Sequence, residues 1–221
     1  MNLVNERIAP ARAGVGPRVV PASWYASKRA LDLLIGGVLV VLTFPILVLA
    51  AIGIVIASPG SPFFLQERVG QDRRRFRMIK LRTMIVDAER FAKDIEHLNE
   101  VQGPAFKVKR DPRFHALGAF LRRTSIDELP NFFNVLRGEM AIVGPRPPLP
   151  NEVAAYEPDA LVRLSAKPGI TCLWQISGRS NVNFDQWVEL DRHYIETWTP
   201  LGDLVIIART IPAVLRGVGA H

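Results

Sequence analysis

The chain of 221 residues is long enough for one domain with a hydrophobic core, or for a small domain and a membrane element. Hydrophobic residues make up 48% of it and charged residues 22%, which excludes a disordered chain. Lys and Arg outnumber Asp and Glu by 28 to 21, and the net charge of +7 indicates an anionic partner such as nucleic acid, acidic lipid or a phosphorylated substrate.

The N-terminal part of the chain divides into a polar and an apolar segment. Residues 1–25 are rich in Arg, Pro, Gly and Ala without periodicity and are predicted to be a flexible tail. Residues 33–57 contain no charged side chain, and a helix of that length reaches across the roughly 30 Å hydrocarbon layer. This run starts too late and is too long for a secretory signal, so the chain is predicted to be membrane-bound.

The flanks and the proline of the apolar run bear on its topology. Basic residues precede and follow the run, and both flanks therefore favour the cytoplasmic side. Pro45 lacks an N–H and its ring clashes with the carbonyl of Val41, so a bend is expected there. Two arms of about 18 Å each would enter one leaflet and return. On these residues, a re-entrant hairpin over residues 26–58 and an ordinary single span with a proline kink both stay open.

Short elements follow the apolar run and predict a mainly helical α+β domain over residues 59–221. Strands are predicted for residues 63–69 and 75–84, and helices for residues 88–99, 115–123, 130–136, 184–198 and 201–215. The last helix carries Leu204, Ala208, Ile211 and Leu215 on one face, which is more typical of a core than of a membrane surface. The turn-rich sequences at 144–150 and 167–169 are predicted loops.

Two acidic residues, Asp127 and Glu128, stand side by side in the stretch RRTSIDELPNFFNVLRGEM. A structural interpretation is available, because Ser125 and Glu128 fit a capping box and acids in a first helical turn gain about 0.3–1 kcal/mol from the helix dipole. Pro130 disturbs a helix begun at Ser125, so the regular helix more naturally starts near Pro130. The two carboxylates then point in different directions, and one can bind a metal while the other faces a phosphorus atom.

Arginines surround this pair in the sequence. Arg122 and Arg123 precede it, and Arg146 lies on a turn fixed by prolines in GPRP. Arginine at a rigid position suits bidentate phosphate recognition, whereas most surface arginines are only solvated charges. A carboxylate beside cations and a helix N-terminus stays ionised, as a nucleophile must.

Several motifs occur together in a fixed order: SKRALDLL before the apolar run, then QERVG, IKLRTM, RRTSIDELPNFFNVLRGEMAIVGPRP and KPGITCLWQISGR. In this order they resemble the single-domain monotopic polyprenyl-phosphate sugar-1-phosphate transferases of bacteria, which start exopolysaccharide and glycoconjugate assembly. The likeness covers residues 27 to about 215. It implies a small cytosolic catalytic domain at the inner membrane, held by a re-entrant helix kinked at Pro45 and by interfacial amphipathic helices.

The resemblance also implies roles for individual residues. Asp127 would attack the β-phosphorus of a UDP-sugar, releasing UMP and leaving a sugar-phosphoryl aspartate, while Glu128 would help to hold Mg²⁺. Undecaprenyl phosphate would then take the sugar phosphate. The basic residues that match positions for phosphate contact or activity are Lys80, Arg122, Arg146 and Arg179. The LWQISGR sequence is most like that of the hexose-type members, so UDP-glucose or UDP-galactose is expected.

The chain departs from the family pattern at two positions. Phe44 stands before the kink proline where serine is common, and the nearest hydroxyl is that of Thr43. Cys172 stands where TGLWQ is common, which excludes a backbone shape that only glycine adopts. As the single cysteine it cannot form an internal disulfide bond, and we expect a small core residue in a reducing compartment.

Other functions use fewer of these features. A membrane-tethered anion-binding module or a scaffold without catalysis needs the basic stretch at 68–82 but no paired acids. Nucleic acid is not an expected partner, since an RNA-binding aromatic signature and a helix-turn-helix pattern are absent from the sequence. The four histidines lack metal-ligand spacing. Direct transfer, with Asp127 only a metal ligand, is the alternative mechanism, and a homo-oligomer is compatible with the sequence.

Overall fold

The computed structural model describes residues 20–91, 111–177 and 183–215. Its helices and strands, in chain order, are α1 (Ala22–Ala57), β1 (Phe63–Val69), β2 (Arg75–Leu81), α2 (Gly118–Arg123), α3 (Asn131–Arg137), β3 (Ala141–Val143), α4 (Pro150–Ala154), β4 (Gly169–Thr171), α5 (Leu173–Ile176), α6 (Phe184–Thr197) and α7 (Pro200–Leu215). This composition agrees with the mainly helical α+β prediction. Most of the predicted tail lies outside the described residues, as does the helix predicted for 88–99 beyond a 3₁₀ turn at Ala88–Phe91.

The apolar run forms part of one 36-residue helix, α1, which contains Pro45. Among the described residues, α1 is the helix long and apolar enough to cross a membrane. The Thr43 hydroxyl donates to the Leu39 carbonyl at 2.7 Å, so it does not serve the Val41 carbonyl that Pro45 leaves without its helical donor. The re-entrant bend at Pro45 stays a prediction.

One side of α1 packs on the rest of the domain. Near its N-terminus, the Lys28 ammonium lies 2.6 Å from the carboxylate of Asp203 in α7. Towards its C-terminus, Leu47 and Ile54 are buried in a cluster with Leu81 of β2. The opposite side exposes large apolar side chains, which include Leu34, Val41, Leu42, Leu49 and Ile56. This division is expected of a helix that contacts protein on one side and lipid on the other.

The strands β1 and β2 form an antiparallel hairpin in which Val69 pairs with Arg75. The predicted strand at 63–69 is confirmed, whereas the second strand ends at Leu81 rather than at residue 84. Leu81 pairs with Phe63, the first residue of β1, and Met84 instead forms a separate backbone bridge with Phe114. This hairpin brings Lys80 towards the residues that precede α3.

The helix predicted for residues 115–123 begins later, at Gly118. His115 is held by the preceding segment, because its backbone N–H donates to the Thr83 carbonyl at 3.3 Å and its Nε2 lies 2.8 Å from the Arg82 carbonyl oxygen. A Cβ atom on Gly118 would lie 1.8 Å from the Thr83 carbonyl oxygen, so only glycine fits where α2 starts.

A second sheet pairs two short stretches that adjoin the predicted loops at 144–150 and 167–169. The short strands β3 and β4 are parallel, with Val143 opposite Thr171. The backbones approach closely just beyond β3, since a Cβ atom on Gly144 would lie 2.2 Å from the Lys167 carbonyl oxygen. The sheet therefore fixes the turn that carries Arg146 against the start of β4.

The remaining helices lie where the sequence predicts them, but one of them buries a different face from the predicted one. The helices predicted for 130–136 and 184–198 are confirmed as α3 and α6. α7 is also confirmed, but the prediction of a core stripe on it is wrong. Leu204, Ala208 and Ile211 are exposed, while Asp203 and Ile206 are buried. The buried face is set by Asp203, which pairs with Lys28 of α1.

Candidate active site

The two adjacent carboxylates are presented by a short irregular segment. Ser125 has a left-handed backbone with φ of +57°, a 3₁₀ turn follows over Ile126–Glu128, and α3 starts at Asn131 after Pro130. The prediction that the regular helix starts near Pro130 is confirmed. The capping box is wrong, because the Ser125 side chain makes no capping hydrogen bond. The pair is thus not explained as an ordinary helix start.

The Asp127 side chain is buried, with 6% of its surface exposed. Burial, followed by the charge of Glu128, raises its pKa to about 6, while Lys80 and Arg122 oppose that rise. The sequence predicts an ionised carboxylate here. The structure limits the pH range of that state, because with this pKa the Asp127 carboxylate is ionised mainly above about pH 6.

The Glu128 side chain is in the opposite electrostatic state. Its Oε1 lies 3.0 Å from the Lys80 ammonium. Lys80 is the largest cause of a pKa lowered to about 2, and Arg146 and Arg122 add to it against burial. Two neighbouring carboxylates therefore have pKa values moved in opposite directions, a pattern that separates chemical roles in active sites.

Lys80 is positioned by the edge of β2 that faces α3. The buried Asn134 side chain accepts from the Ile79 N–H at 3.0 Å and donates to the Arg77 carbonyl at 2.8 Å. Asn134 thus ties β2 to the helix that follows Glu128. Burial lowers the pKa of Lys80, and Glu128 and Asp127 oppose that change.

A cavity opens beside Glu128, and we call it the dyad cavity. Its lining residues are Arg68, Met78, Glu128, Asn131, Met140, Arg146, Pro147, Gly169, Ile170, Cys172 and Gln175. Asp127 is not one of them, although its neighbour Glu128 is. Arg68 and Arg146 form no ion pair with a carboxylate in the described part of the chain.

The predicted site residues divide into three groups. Asp127, Glu128 and Lys80 interact with one another through their charges, and Arg146 lines the dyad cavity together with Glu128. Arg122 is exposed and stacks over the Phe114 ring at 5.3 Å, acting on both carboxylates through its charge. Arg179 lies outside the described residues.

The sequence model described as "Bacterial sugar transferase" matches residues 23–217. The chain belongs to this family. The match extends over α1 as well as the segment with the two carboxylates, so the apolar helix is part of the family's common sequence.

Three curated relatives are similar to this chain over most of its length, but the match covers different shares of their own lengths. Galactosyl transferase CpsE of Streptococcus agalactiae is 45% identical over 88% of this chain and 43% of its own length. The exopolysaccharide production protein ExoY of Sinorhizobium fredii is 37% identical over 88% of both chains. The UDP-glucose:undecaprenyl-phosphate glucose-1-phosphate transferase of Caulobacter vibrioides is 38% identical over 88% of this chain and 72% of its own length. The chain thus spans less than half of the first of these relatives.

Two residues of this sugar transferase site were not singled out from the sequence. Arg68 is buried and donates to the Pro147 carbonyl at 3.0 Å, and burial, together with Arg146, lowers its pKa to about 10. The sequence signals for it are its place in QERVG and its position at the start of the basic stretch at 68–82. The buried Asn131 has an Oδ1 atom without a hydrogen-bond partner beside the dyad cavity, and no sequence pattern indicates that.

The departure at Cys172 is explained by its backbone. The residue has φ of −154°, an extended conformation that any residue adopts, so glycine is not required. The side chain is buried as predicted and lines the dyad cavity. Burial raises the pKa of its thiol, which keeps it protonated and unreactive at neutral pH.

The residues present fit a magnesium ion that arrives with a phosphorylated substrate. The described residues contain no group of three His, Cys, Asp or Glu side chains able to hold a metal alone. Glu128 is ionised and borders the cavity, and Mg²⁺ is commonly held by one or two carboxylates together with substrate phosphates. Glu128 is therefore the residue that would hold it, with Asp127 as its neighbour.

Proposed function

We propose that this protein transfers a sugar-1-phosphate from a UDP-sugar to undecaprenyl phosphate through a covalent intermediate on Asp127, with release of UMP. It is a phosphoglycosyl transferase that catalyses the first membrane step of exopolysaccharide or glycoconjugate synthesis. Family membership and the names of the relatives support the reaction class. The relatives named for glucose and galactose favour a hexose as the sugar.

The observation that carries the proposal is the opposed electrostatic state of Asp127 and Glu128 beside more basic groups than these two carboxylates neutralise. The two carboxylates are surrounded by Lys80, Arg68, Arg122 and Arg146. Basic groups are in excess, so the local field favours an anion. A diphosphate supplies that charge, and phosphoryl transfer requires mainly positioning and charge neutralisation from a protein.

The chemistry divides into two displacements at one phosphorus atom. In the first, a carboxylate oxygen of Asp127 forms a bond to the β-phosphorus of the UDP-sugar. The bond from that phosphorus to the bridging oxygen breaks, and UMP leaves with the electron pair. In the second, a phosphate oxygen of undecaprenyl phosphate attacks the same phosphorus, and the Asp127 carboxylate is released.

The side chains around the dyad have separate tasks in this scheme. Burial makes Asp127 more basic than an exposed aspartate, which strengthens it as a nucleophile while leaving it ionised at neutral pH. Lys80 holds Glu128 ionised and in place. Arg68 and Arg146 stabilise phosphate charge in the cavity. Bound Mg²⁺ would neutralise further charge on the diphosphate and its leaving group.

The acceptor explains why the site is joined to an apolar helix. Both ends of α1 contact the same domain: Lys28 pairs with Asp203, and Arg82 donates to the Pro59 carbonyl at 3.0 Å just beyond the helix. This arrangement favours a re-entrant helix bent at Pro45, with both ends on the cytoplasmic face of the inner membrane. The exposed apolar face of α7 would lie at the same interface.

The decisive experiment measures UMP formed by purified enzyme given Mg²⁺ and UDP-sugars without acceptor. The covalent route predicts a burst of about one UMP per enzyme, and a protein that gains the mass of one sugar phosphate. Asp127→Asn should give neither while remaining folded. Asp159→Asn, which changes a carboxylate that is 93% exposed, should behave as the wild type.

Other outcomes assign other functions. Transfer that needs both substrates at once, without a burst and with intersecting double-reciprocal plots, would favour direct transfer with Asp127 as a metal ligand. A protein that releases no UMP from UDP-glucose, UDP-galactose or N-acetyl sugars, with or without undecaprenyl phosphate, would be a membrane-tethered scaffold instead.

A further inference from the structure

A second cavity of about 280 Å³ lies at the N-terminal end of α1. It shares no lining residue with the dyad cavity. Its wall combines basic side chains of α1 with the segment that precedes β4 and with the end of α6. The residues that matter here are Tyr25, Lys28, Arg29, Lys167 and Trp198, and we call it the α1 cavity.

The charges in the α1 cavity are not balanced. Lys28 is neutralised by Asp203 at 2.6 Å. Arg29 donates to the carbonyls of Val135 and Leu136, at 2.7 and 2.9 Å. These acceptors are uncharged, so the positive charge of Arg29 is not neutralised by them.

Lys167 is the third cation of the cavity, and the carboxylate that acts on it through its charge is Asp32. The Asp32 carboxylate also lines the cavity, and it accepts the Ile142 N–H at 2.8 Å. Lys167 forms no hydrogen bond or ion pair with any residue that the structure describes. Burial and repulsion by Arg29 lower the pKa of the Lys167 ammonium, while Asp32 opposes that change without forming an ion pair with it. A bound anion would relieve that repulsion.

The place of the α1 cavity in the chain indicates which anions can reach it. Lys28 and Arg29 lie one turn of α1 before the uncharged run begins at Leu33. Tyr25 is 59% exposed, and its ring stacks on Trp198 with centroids 5.4 Å apart. Basic and aromatic side chains next to an apolar run lie at the headgroup level of a membrane. The anions concentrated at that level are lipid phosphates.

We infer that the α1 cavity binds the phosphate of a membrane lipid headgroup. Lys167 donates to the phosphate oxygens and Arg29 adds attraction, while the Tyr25–Trp198 pair contacts the apolar part of the lipid next to its headgroup. This site is separate from the dyad cavity and does not depend on the reaction proposed there.

Native mass spectrometry of the full chain in detergent tests the inference. The probes are phosphatidylglycerol, undecaprenyl phosphate, a galactolipid that lacks phosphate, and inorganic phosphate. We expect one phosphatidylglycerol to be retained and the galactolipid to be lost. Lys167→Gln should reduce retention at least about tenfold, since a charge-assisted hydrogen bond is lost. Lys167→Arg should restore it, and Arg75→Gln, at an exposed arginine of β2, should leave it unchanged.

The competing results are distinct. Equal retention by Lys167→Gln and the wild type would overturn the site. Displacement of the lipid by millimolar inorganic phosphate would show a site for soluble anions and would overturn the assignment to lipid. Undecaprenyl phosphate retained in preference to phosphatidylglycerol would identify the acceptor as the bound lipid phosphate. A UMP burst that persists in Lys167→Gln would separate this site from the proposed chemistry.

Discussion

The ammonium of Lys80 and the carboxylate of Glu128 lie 3.0 Å apart although 48 positions separate them in the chain. The pair joins β2 to the segment before α3, and the Lys80 side chain is 14% exposed while that of Glu128 is 33% exposed. Because Glu128 also adjoins Asp127, the charge of Lys80 acts on both carboxylates. The pair therefore influences the ionisation of both carboxylates, although burial has the largest effect on Asp127.

The first prediction concerns the pH dependence of the wild type. The nucleophile must be ionised, and the pKa of Asp127 is about 6. We expect kcat/KM for the UDP-sugar to be constant above that pH and to fall about tenfold per unit below it. Glu128, with a pKa of about 2, contributes no limb in this range. A rate that stays constant down to pH 5 would contradict the assignment of Asp127.

The second prediction replaces Lys80 by methionine. Loss of the ammonium removes attraction that holds down the pKa of Asp127. The acid limb should therefore move to higher pH by about one unit or more, and the plateau rate should fall about 100-fold because a charge beside the phosphate is lost. The matched control is Arg75→Met on the same strand. A reduced plateau with an unmoved limb would show that Lys80 acts only by binding substrate.

The third prediction concerns the stability of Asp127→Asn. Burial raises the pKa of this group from 3.8 to about 6 in the folded protein, so the folded state disfavours the ionised form. The ionised carboxylate should destabilise the wild type fully above about pH 6 and not below about pH 4. The variant should gain on the order of 2 kcal/mol in the free energy of unfolding at pH 7.5. Denaturant unfolding at pH 7.5 and pH 4 measures the difference in the free energy of unfolding between the variant and the wild type. If Asp127 had a purely structural role, the variant should instead be less stable than the wild type at pH 7.5.

The fourth prediction concerns Arg68, a buried guanidinium without a carboxylate partner among the described residues. Arg68→Gln should weaken UMP and UDP-sugar binding about tenfold or more in calorimetry, because a charged phosphate contact is lost. Arg68→Lys should recover only part of it, since lysine lacks the planar fork. Unchanged binding in both variants would remove Arg68 from the site.

The fifth prediction concerns the topology of α1. Single cysteines at Ser23 and Ser61, which are both exposed on either side of the helix, should be protected from an impermeant thiol reagent applied outside spheroplasts. Both should react after the membrane is opened. The native Cys172 is buried and should give little background. Labelling from outside at position 23 alone would show that α1 spans the membrane.

Local sequence signals predicted the elements that depend on near neighbours. The strand-like sequence at 63–69 predicted β1, and Pro130 indicated that the carboxylates precede the helix α3. The pairing of β3 with β4 could not be predicted, since three-residue strands carry no periodicity and their partners are distant in the chain. The prediction of which face of α7 is buried was wrong, because the helix buries Asp203, which pairs with Lys28, rather than its apolar stripe.

The site was predicted in the same uneven way. The acidic pair and Arg146 are visible because their neighbours in the chain are unusual. The contacts of Lys80 depend on Asn134, whose side chain holds β2 against α3, and that relation arises only in the folded chain. The burial of Arg68 is likewise a result of tertiary packing.

The packing of α1 limits how this enzyme can be handled in the laboratory. Truncation at residue 58, intended to yield a water-soluble fragment, would remove the partner of Asp203 and the acceptor of the Ile142 N–H. It would also uncover Leu81. Such a fragment would have a buried Asp203 without its cationic partner and an exposed apolar surface around Leu81. Detergent or nanodisc preparations of the intact chain are therefore the practical form for biochemistry.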